Sequence, residues 1–393
     1  MIRVQTLLAL IVLSVGAQAA DPPAKKPYVE PPSVRTLSFS PDGNLLAASV
    51  MPKDRGGQVF VWDVATRKLV SKYAQAGETP AAAFAADGKS IVLANGRTLL
   101  TRLDPRKGEK LGTIGPFDAE ITTLARAGDA GWVTLGKDFA FRVWDDKDKK
   151  VLWKLAGQKR VWSWAVSASG KWLYASTDGQ DRLWDLSTGK EAEGIFKVRQ
   201  GTSNTGTFMG DDRLLLGSNH GTHKLVEIPS GKDLRRFQNE GGTGGMAYSP
   251  KTEMLACRYY TSMKVGLTPL TFRSPTEIET KKLAEFLKDC DSDDYATREK
   301  ASESIVQMGS VLEPLLAKAA LAGPSPEVRL RARVAREIIL NKTKFFLEAH
   351  TEEIRPMTFS PDGKLFVTGG GDGLVILWDP ATGKEIGRMN TGE

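Results

Sequence analysis

Few residues in this sequence have the type and spacing that catalysis or metal binding requires. Of its three histidines, His220 and His223 are spaced like a pair of metal ligands, but they fall on a predicted turn without a third ligand. We therefore expect solvated turn histidines there and predict no metal site. The sequence also lacks a Gly-x-Ser-x-Gly nucleophile elbow, a Gly-Lys-Ser/Thr phosphate loop and a Cys-x-x-Cys-His haem motif. No catalytic residue and no cofactor are predicted.

The two cysteines are too few to form a disulfide framework. Cys257 lies in an apolar, strand-like run, and Cys290 lies in a predicted helical region. Buried free thiols are the expected state of both.

A short motif recurs along the chain at regular intervals. Phe-Ser-Pro-Asp-Gly occurs at Phe39–Gly43 and at Phe359–Gly363, and weaker copies end at residues 88, 131, 170, 212 and 252. Successive copies lie 39–45 residues apart, except for a last gap of 111. Trp-Asp pairs recur between them, at Trp62, Trp144, Trp184 and Trp378, among short alternating apolar runs. The spacing is typical of one propeller blade, and the runs predict antiparallel strands.

On these residues the chain resembles WD-repeat β-propellers, over about 290 of its residues. The resemblance implies an all-β fold, a seven-bladed ring of four-stranded sheets around a central channel. It also implies a structural hydrogen-bond tetrad in the last blade, formed by His350, Thr368, Asp372 and Trp378. Asp138 and Asp178 stand six residues before a tryptophan, as Asp372 does.

Between Ser274 and Lys342 the apolar pattern changes to a period of 3.6, which predicts helices. Ser274–Glu277 has the form of a capping box with Pro275 as the first helical residue. Further helices are expected at about Asp294–Met308, Ser310–Gly323 and Ser325–Leu340. The segment resembles the HEAT-like helical insert of some large bacterial WD-repeat families, which implies a fold and no chemistry.

The N-terminus has the layout of a secretory signal peptide. Arg3 precedes an apolar run from Leu7 to Val15, and Ala17-Gln18-Ala19 is a small-x-small cleavage pattern. The run is shorter than the ~20 residues of a membrane-spanning helix. We expect export to the periplasm or the extracellular space, without a transmembrane segment after signal removal; an N-terminal anchor is the alternative.

These patterns together divide the chain into five parts. The expected parts are a signal peptide at 1–20, a Pro-rich leader at 21–33, blades 1–5 with the inner part of blade 6 at 34–273, the helical insert at 274–343, and the outer strand of blade 6 with blade 7 at 344–393.

Alignment on the repeat predicts a binding face. One equivalent position, near the start of the innermost strand, is occupied in six of the blades by Arg35, Pro80, Trp162, Asn204, Gly244 and Arg355. In a closed ring, Arg35 and Arg355 would be neighbours, with the Trp162 indole across the mouth. Paired guanidinium groups suit a carboxylate or phosphate, so an acidic peptide or other anion is the expected ligand. The alternative is that these residues only line a wet channel entrance.

Two further groups have alternative interpretations. Arg329, Arg333 and Arg336 would share one face of the last inserted helix, as a solvated surface or as a site for an anionic partner. Five tryptophans outside Trp-Asp pairs are expected to be core residues or an aromatic contact surface: Trp132, Trp153, Trp162, Trp164 and Trp172.

The net charge of +7 is small for 393 residues and does not by itself indicate a nucleic-acid partner. The sequence therefore favours a non-enzymatic, exported scaffold that binds a protein or peptide. Alternatives are an exported hydrolase with carboxylates in the central channel and a structural envelope component. The sequence does not determine the oligomeric state.

Overall fold

The computed structural model contains seven antiparallel sheets of four strands each. It describes residues 31–52, 56–74, 81–94, 97–128, 131–145, 150–155, 160–177, 180–192, 203–238, 242–259, 263–271, 273–341 and 345–392. The innermost strands of successive blades contact one another all the way round, including the first and last blades, so the sheets form a closed ring. The predicted seven-bladed propeller with four inserted helices is confirmed.

The first four blades are built from strands that follow one another in the chain. Blade 1 contains β1 (Ser33–Phe39), β2 (Leu45–Met51), β3 (Gln58–Asp63) and β4 (Leu69–Ala74). Blade 2 contains β5 (Ala81–Phe84), β6 (Ile91–Ala94), β7 (Leu100–Leu103) and β8 (Lys110–Ile114). Blade 3 contains β9 (Ile121–Ala127), β10 (Gly131–Gly136), β11 (Phe141–Trp144) and β12 (Val151–Leu155). Blade 4 contains β13 (Val161–Val166), β14 (Trp172–Thr177), β15 (Gln180–Asp185) and β16 (Lys190–Glu191).

The remaining blades follow the same order, with the helices between two strands of blade 6. Blade 5 contains β17 (Ser203–Phe208), β18 (Arg213–Ser218), β19 (Thr222–Glu227) and β20 (Asp233–Gln238). Blade 6 contains β21 (Thr243–Ser249), β22 (Met254–Tyr259), β23 (Val265–Pro269) and, after the helices, β24 (Phe345–Leu347). Blade 7 contains β25 (Ile354–Phe359), β26 (Phe366–Gly370), β27 (Leu374–Trp378) and β28 (Glu385–Asn390).

The position of a strand within its blade decides its burial. The second strands, such as β2, are buried along almost their whole length because both faces pack against neighbouring blades. Outer strands such as β4 alternate exposed and covered residues. The first and last blades share one apolar cluster, which includes Val34, Trp62 and Leu377. Side-chain packing of this kind therefore closes the ring.

The recurring Ser-Pro-Asp-Gly motif forms the turn between the first and second strands. In blade 1, Ser40 Oγ donates to Asp42 Oδ1 over 2.5 Å, and the Asn44 N–H donates to the same oxygen over 3.0 Å. Gly43 has a φ of 76°, a conformation that favours glycine. Blade 7 repeats the turn, with 2.6 Å between Ser360 Oγ and Asp362 Oδ1. The motif recurs because each blade needs the same tight turn.

Four helices lie between β23 and β24. They are α1 (Glu277–Asp289), α2 (Tyr295–Gln307), α3 (Glu313–Ala322), which follows a 3-10 turn at Ser310–Leu312, and α4 (Pro326–Asn341). They pack around an apolar cluster of their own. Strand β24 then pairs with β23 as in an ordinary hairpin, so the helices occupy the place of a turn.

The start of the first helix differs from the prediction. The capping box is formed by Thr276 and Glu279, so the helix begins at Glu277, and Pro275 lies before it. Thr276 Oγ1 accepts from the Glu279 N–H over 3.2 Å, while the Glu279 carboxylate accepts from the Thr276 N–H over 2.8 Å. Bidentate hydrogen bonds from Arg273 further anchor that carboxylate. The predicted box at Ser274 was wrong. Glu277 does stand three residues after Ser274, but the reciprocal cap hydrogen bonds are formed by Thr276 and Glu279.

A buried ion cluster joins the helices to blade 5. Glu313, at the start of α3, is almost fully buried and pairs with Arg235 of β20 and with Arg336 of α4. Its Oε1 lies 2.7 Å from the Arg336 Nε. Burial lowers the pKa of Arg235, and the adjacent Glu313 carboxylate opposes that change. A buried charge needs such a partner, so this cluster fixes where the helices contact the ring.

Among the described residues, no single helix has the length and hydrophobicity to span a membrane. The neighbouring segments Tyr295–Gln307 and Ser310–Ala322 are long and apolar enough only when they are counted together, and the chain bends by 97° between them.

Deletion of the helices should leave the ring intact. We predict that replacing Ser274–Asn341 by a short linker preserves a β-type circular dichroism spectrum and one cooperative urea transition, because β23 and β24 keep their pairing. Arg235 would then face water rather than remain buried without its carboxylate. Loss of the cooperative transition would show that the ring depends on the helices.

Candidate binding site at one mouth of the channel

A β-bulge occurs at the same point of the innermost strand in several blades. In β1 the register passes from Val34 to Thr36, which leaves Arg35 as the extra residue. Trp162 of β13 and Gly244 of β21 occupy the corresponding place. Arg355 lies within the equivalent irregularity of β25. Bulges reorient side chains at the rims of sheets, so the predicted equivalence of these positions has a structural basis.

Trp162 is the largest exposed side chain at this mouth, with 55% of its surface accessible. The Arg160 guanidinium carbon lies 4.1 Å from the centroid of the Trp162 ring. This stacking adds a cation that the sequence analysis did not single out. The pair forms a flat surface that is both aromatic and positively charged, which suits contact with a carboxylate-bearing chain.

Arg355 is half exposed and already has an acidic partner. Its Nε donates to Glu353 Oε2 over 3.1 Å, and Arg258 of β22 donates to the other oxygen of Glu353 over 3.1 Å. Arg258 also donates to the Gly244 carbonyl over 2.6 Å. Two guanidinium groups therefore share one exposed carboxylate between blades 6 and 7. Glu353, only two residues from Arg355, thus adds a carboxylate that was not among the predicted site residues.

Arg35 belongs to β1, which packs against β25 of the last blade. Its Nε is buried and has no hydrogen-bond partner among the described residues. The Asn204 side chain lies outside the described residues, and so does Pro80 of the same predicted set. Asp178 of the predicted tetrad positions is also outside them.

The inner strands of blades 1–3 line a cavity of about 570 Å³ inside the channel. Thr36, Ser38 and Arg126 contribute polar groups, and the rest of the lining includes several alanines. The lining also includes Pro41, Ala86 and Gly128, which follow these strands, so the cavity lies toward the end of the channel opposite Arg35.

The predicted tetrad residues of blade 7 are joined by hydrogen bonds. Trp378 Nε1 donates to Thr368 Oγ1 over 2.9 Å, and His350 Nε2 lies 2.9 Å from the same hydroxyl. His350 Nδ1 lies 3.0 Å from Asp372 Oδ1. One arrangement of the protons gives every member a partner. The Thr368 hydroxyl donates to His350 Nε2, and His350 Nδ1–H donates to the Asp372 carboxylate. Burial by itself would raise the pKa of the Asp372 carboxyl group. Hydrogen bonds from His350 and the Thr351 N–H stabilise the carboxylate more strongly, so the pKa lies below its usual value.

Blade 3 has a different polar network in the corresponding place. Asp138, expected to match Asp372, binds the buried Arg142, whose Nη2 lies 2.7 Å from Asp138 Oδ2. Arg142 Nε also donates to Asp118 Oδ1 over 2.6 Å. Hydrogen bonds from Arg142 hold the pKa of Asp118 well below its usual range. The histidine–carboxylate pair is thus replaced by a guanidinium between two carboxylates.

The prediction of solvated turn histidines was wrong for His223. It lies on β19 and is fully buried, with Nε2 2.9 Å from Thr243 Oγ1. Cys257 Sγ lies 3.9 Å from the same nitrogen, so blades 5 and 6 meet at this residue. His220 is exposed on the turn. The two histidines therefore have different environments, because His220 lies in the turn and His223 lies in the strand that follows it.

Both cysteines are buried free thiols. Cys290 follows α1 and lies 4.0 Å from Ser302 Oγ. Burial raises the pKa of the Cys290 thiol, which makes it a poor nucleophile.

The predicted arginine face of α4 does not exist as one exposed surface. Arg336 binds the buried Glu313 instead. Arg329 is half-buried and donates to the Gly323 carbonyl over 2.8 Å. Arg333 is exposed. Two of the three guanidinium groups therefore stabilise the helical segment rather than face a partner.

The five tryptophans outside Trp-Asp pairs have different environments. Trp132 and Trp172 are buried, and Trp172 Nε1 donates to the Asp211 carbonyl of the next blade over 3.1 Å. Trp164 is half-buried against Phe141. Trp153 is half exposed. Trp162 alone of these five lies at the bulged position, which separates it from the packing tryptophans.

Comparisons with known proteins agree with this geometry. Residues 29–63, 149–185 and 341–379 match the family described as WD domain, G-beta repeat. The chain is 23% identical over 265 residues to the serine-threonine kinase receptor-associated protein of Mus musculus, an alignment that covers 65% of each chain. It is 44% identical over 45 residues to the small ribosomal subunit protein RACK1z of Arabidopsis thaliana, which covers 12% of this chain and 14% of that protein.

A third relative is the guanine nucleotide-binding protein subunit beta of Nicotiana plumbaginifolia, 32% identical over 108 residues, or 25% of this chain and 29% of that protein. The chain spans about 65% of the length of the first curated relatives it matches. Seven four-stranded blades together with the WD40 matches support a WD-repeat β-propeller family.

Replacement of His350 should affect stability. We predict that His350→Ala lowers the free energy of unfolding by about 1–3 kcal/mol, because Thr368 and Asp372 lose a buried partner. Urea denaturation measures the change. His220→Ala, at an exposed turn, is the matched control and should change stability by less than about 0.5 kcal/mol. Equal unfolding of both variants would mean that the hydrogen bonds add no stability.

Proposed function

We propose that this chain is a non-enzymatic scaffold that binds other proteins and holds an acidic peptide segment at the bulged mouth of its channel. The observation that supports this most directly is the repeated bulge, which places Arg35, Trp162 and Arg355 at equivalent points of a closed ring. A rigid ring with side chains converging on one mouth is a surface for recognition.

The relatives support the general part of the proposal. Their printed names describe a protein associated with a kinase receptor, a protein of the small ribosomal subunit and a subunit of a guanine nucleotide-binding protein. Each name refers to assembly with other macromolecules. Transferred to this chain, the shared property is assembly with other macromolecules.

The charge arrangement supports an acidic ligand. A carboxylate of the peptide would replace Glu353 as the partner of Arg355 or Arg258, so no guanidinium would lose its counter-charge on binding. A second acidic or aromatic side chain would stack on the Arg160–Trp162 pair. Since Glu353 is exposed, it can turn outward when it is displaced.

The hydrolase alternative would need a carboxyl group with a raised pKa that acts as a general acid. Among the described residues, each carboxyl group whose pKa departs clearly from its ordinary value has it lowered, as in Asp118, Asp372 and Glu385. Hydrogen bonds from cations, hydroxyl groups or backbone N–H groups cause these changes. The described carboxylates therefore have the properties of structural ion pairs.

Binding of an acidic peptide at the channel mouth can be measured with a labelled probe. We predict that a fluorescein-labelled Glu-rich peptide binds the full chain in an anisotropy titration and that Trp162→Ala and Arg35→Ala/Arg355→Ala each raise its Kd about tenfold. A Lys-rich peptide of the same length, without apolar residues, should not bind.

Trp153→Ala and Arg388→Ala remove the same residue types from outer strands, at half-exposed positions away from the mouth. They should leave the Kd of the Glu-rich peptide unchanged. Equal affinity of the mouth variants and these controls would exclude the mouth as the binding site.

We further propose that this scaffold is exported from the cytoplasm. It is supported by the apolar run that ends before Ala17-Gln18-Ala19. In a bacterial host, we predict that the periplasmic fraction contains a chain cleaved after Ala19 or Ala20, as measured by intact mass. Ile11→Arg should abolish cleavage by interrupting the apolar run, whereas Lys26→Ala in the leader should not. An uncleaved cytoplasmic wild type would refute export.

A further inference from the structure

Helix α4 has two apolar stripes, whereas a surface helix usually has one. Val328, Ala332 and Ile339 belong to the buried core of the helical segment. Leu330, Val334 and Ile338 form a second stripe and are 52%, 45% and 37% exposed. A polar outer face is expected on such a helix, so the second stripe requires an explanation.

The second stripe forms one wall and the floor of a groove between α4 and α2. The groove has a volume of about 550 Å³. Val306 and Ala335 extend its apolar lining. From Leu330 to Ile338 the stripe rises about 12 Å, which is the length of roughly two helical turns.

The charged residues of the groove are mainly acidic. Glu299 and Glu303 of α2 and Glu327 of α4 line its rim. Arg331 is the one cation among the lining residues, and it is already bound: its Nε lies 2.6 Å from Glu327 and its Nη1 3.0 Å from Glu299.

Arg331 thus holds α2 and α4 at a fixed separation, and a further hydrogen bond of 2.8 Å to Ser302 Oγ adds to this. Three carboxylates against one guanidinium leave the lining with a net negative charge, on a protein whose overall charge is +7. The groove therefore combines an apolar floor with a rim that attracts cations.

We propose that this groove binds an amphipathic helix of a partner protein, whose apolar face covers Leu330, Val334 and Ile338 and whose flanking lysines or arginines face Glu299 and Glu303. Helix-in-groove docking uses apolar anchors at a spacing of three or four residues, which matches this stripe. The groove is separate from the channel mouth, so the inference goes beyond the proposed function and does not depend on it.

The test uses a designed probe and the full chain. The probe is a fluorescein-labelled amphipathic peptide of about 18 residues, long enough to form a helix on docking, with leucines on one face and lysines beside them. A matched peptide has glutamate in place of every lysine. The anisotropy titrations use the Trp162→Ala variant, so that the channel mouth does not take up the glutamate peptide. We expect a micromolar Kd for the lysine peptide and at least about tenfold weaker binding for the glutamate peptide.

Substitutions separate the apolar and the charged contributions. Val334→Ser and Glu303→Lys should each raise the Kd of the lysine peptide about tenfold. Leu321→Ser and Glu285→Lys make the same kinds of change at exposed positions outside the groove and should leave the Kd unchanged. Circular dichroism and urea unfolding should match the wild type in all four variants, since the replaced side chains are exposed or half exposed.

Three outcomes would overturn the proposal. They are failure of the wild type to bind the lysine peptide, equal affinity for both peptides, and equal affinity of groove variants and controls. Sedimentation equilibrium adds a fourth: a dimer that Val334→Ser dissociates would make a second copy of this chain the occupant. Because Trp162→Ala should leave lysine-peptide binding intact, failure at the channel mouth and failure at the groove are distinguishable.

Discussion

The lateral packing of one blade on the next is the interaction on which the remaining structure depends. A four-stranded sheet has apolar residues on both faces, and only a neighbouring blade can cover them. At the closure, the cluster that contains Val34, Trp62 and Leu377 performs this task between blades 1 and 7. Each of these two sheets is made of its own four consecutive strands, so closure rests on packing and on single contacts such as the hydrogen bond from Arg67 to the Ile386 carbonyl.

The buried polar networks differ between blades, although the packing that they support is the same. Blade 7 uses His350 between a hydroxyl and a carboxylate, and blade 3 uses Arg142 between two carboxylates. Both arrangements pair buried polar side chains near a tryptophan of the third strand. Only blade 7 also gives the indole N–H an acceptor, since Trp144 Nε1 has no hydrogen-bond partner among the described residues. The tetrad is therefore one solution to a local problem of hydrogen bonding, and the ring tolerates others.

Local patterns predicted the blades and the insert, because turns and alternation depend on nearby residues. They also aligned the positions near the start of the innermost strands, but not the bulge found there. The burial of His223 was also detectable, since His223 and Leu225 alternate on one face of β19. The pairing of Glu313 with Arg235 joins two different parts of the fold, and no local pattern contains it. The same holds for the link between Asp118 and Arg142, which replaced an expected copy of the tetrad.

The insertion between β23 and β24 has a consequence for the order of folding. These strands pair at an ordinary spacing of about 4.8 Å, yet the whole helical segment lies between Pro269 and Phe345. The entropy of closing a loop grows only with the logarithm of its length, and helical hairpins form quickly from local contacts. Early folding of the helices would shorten the effective loop. Strand β24 would then join a sheet whose other three strands were already paired.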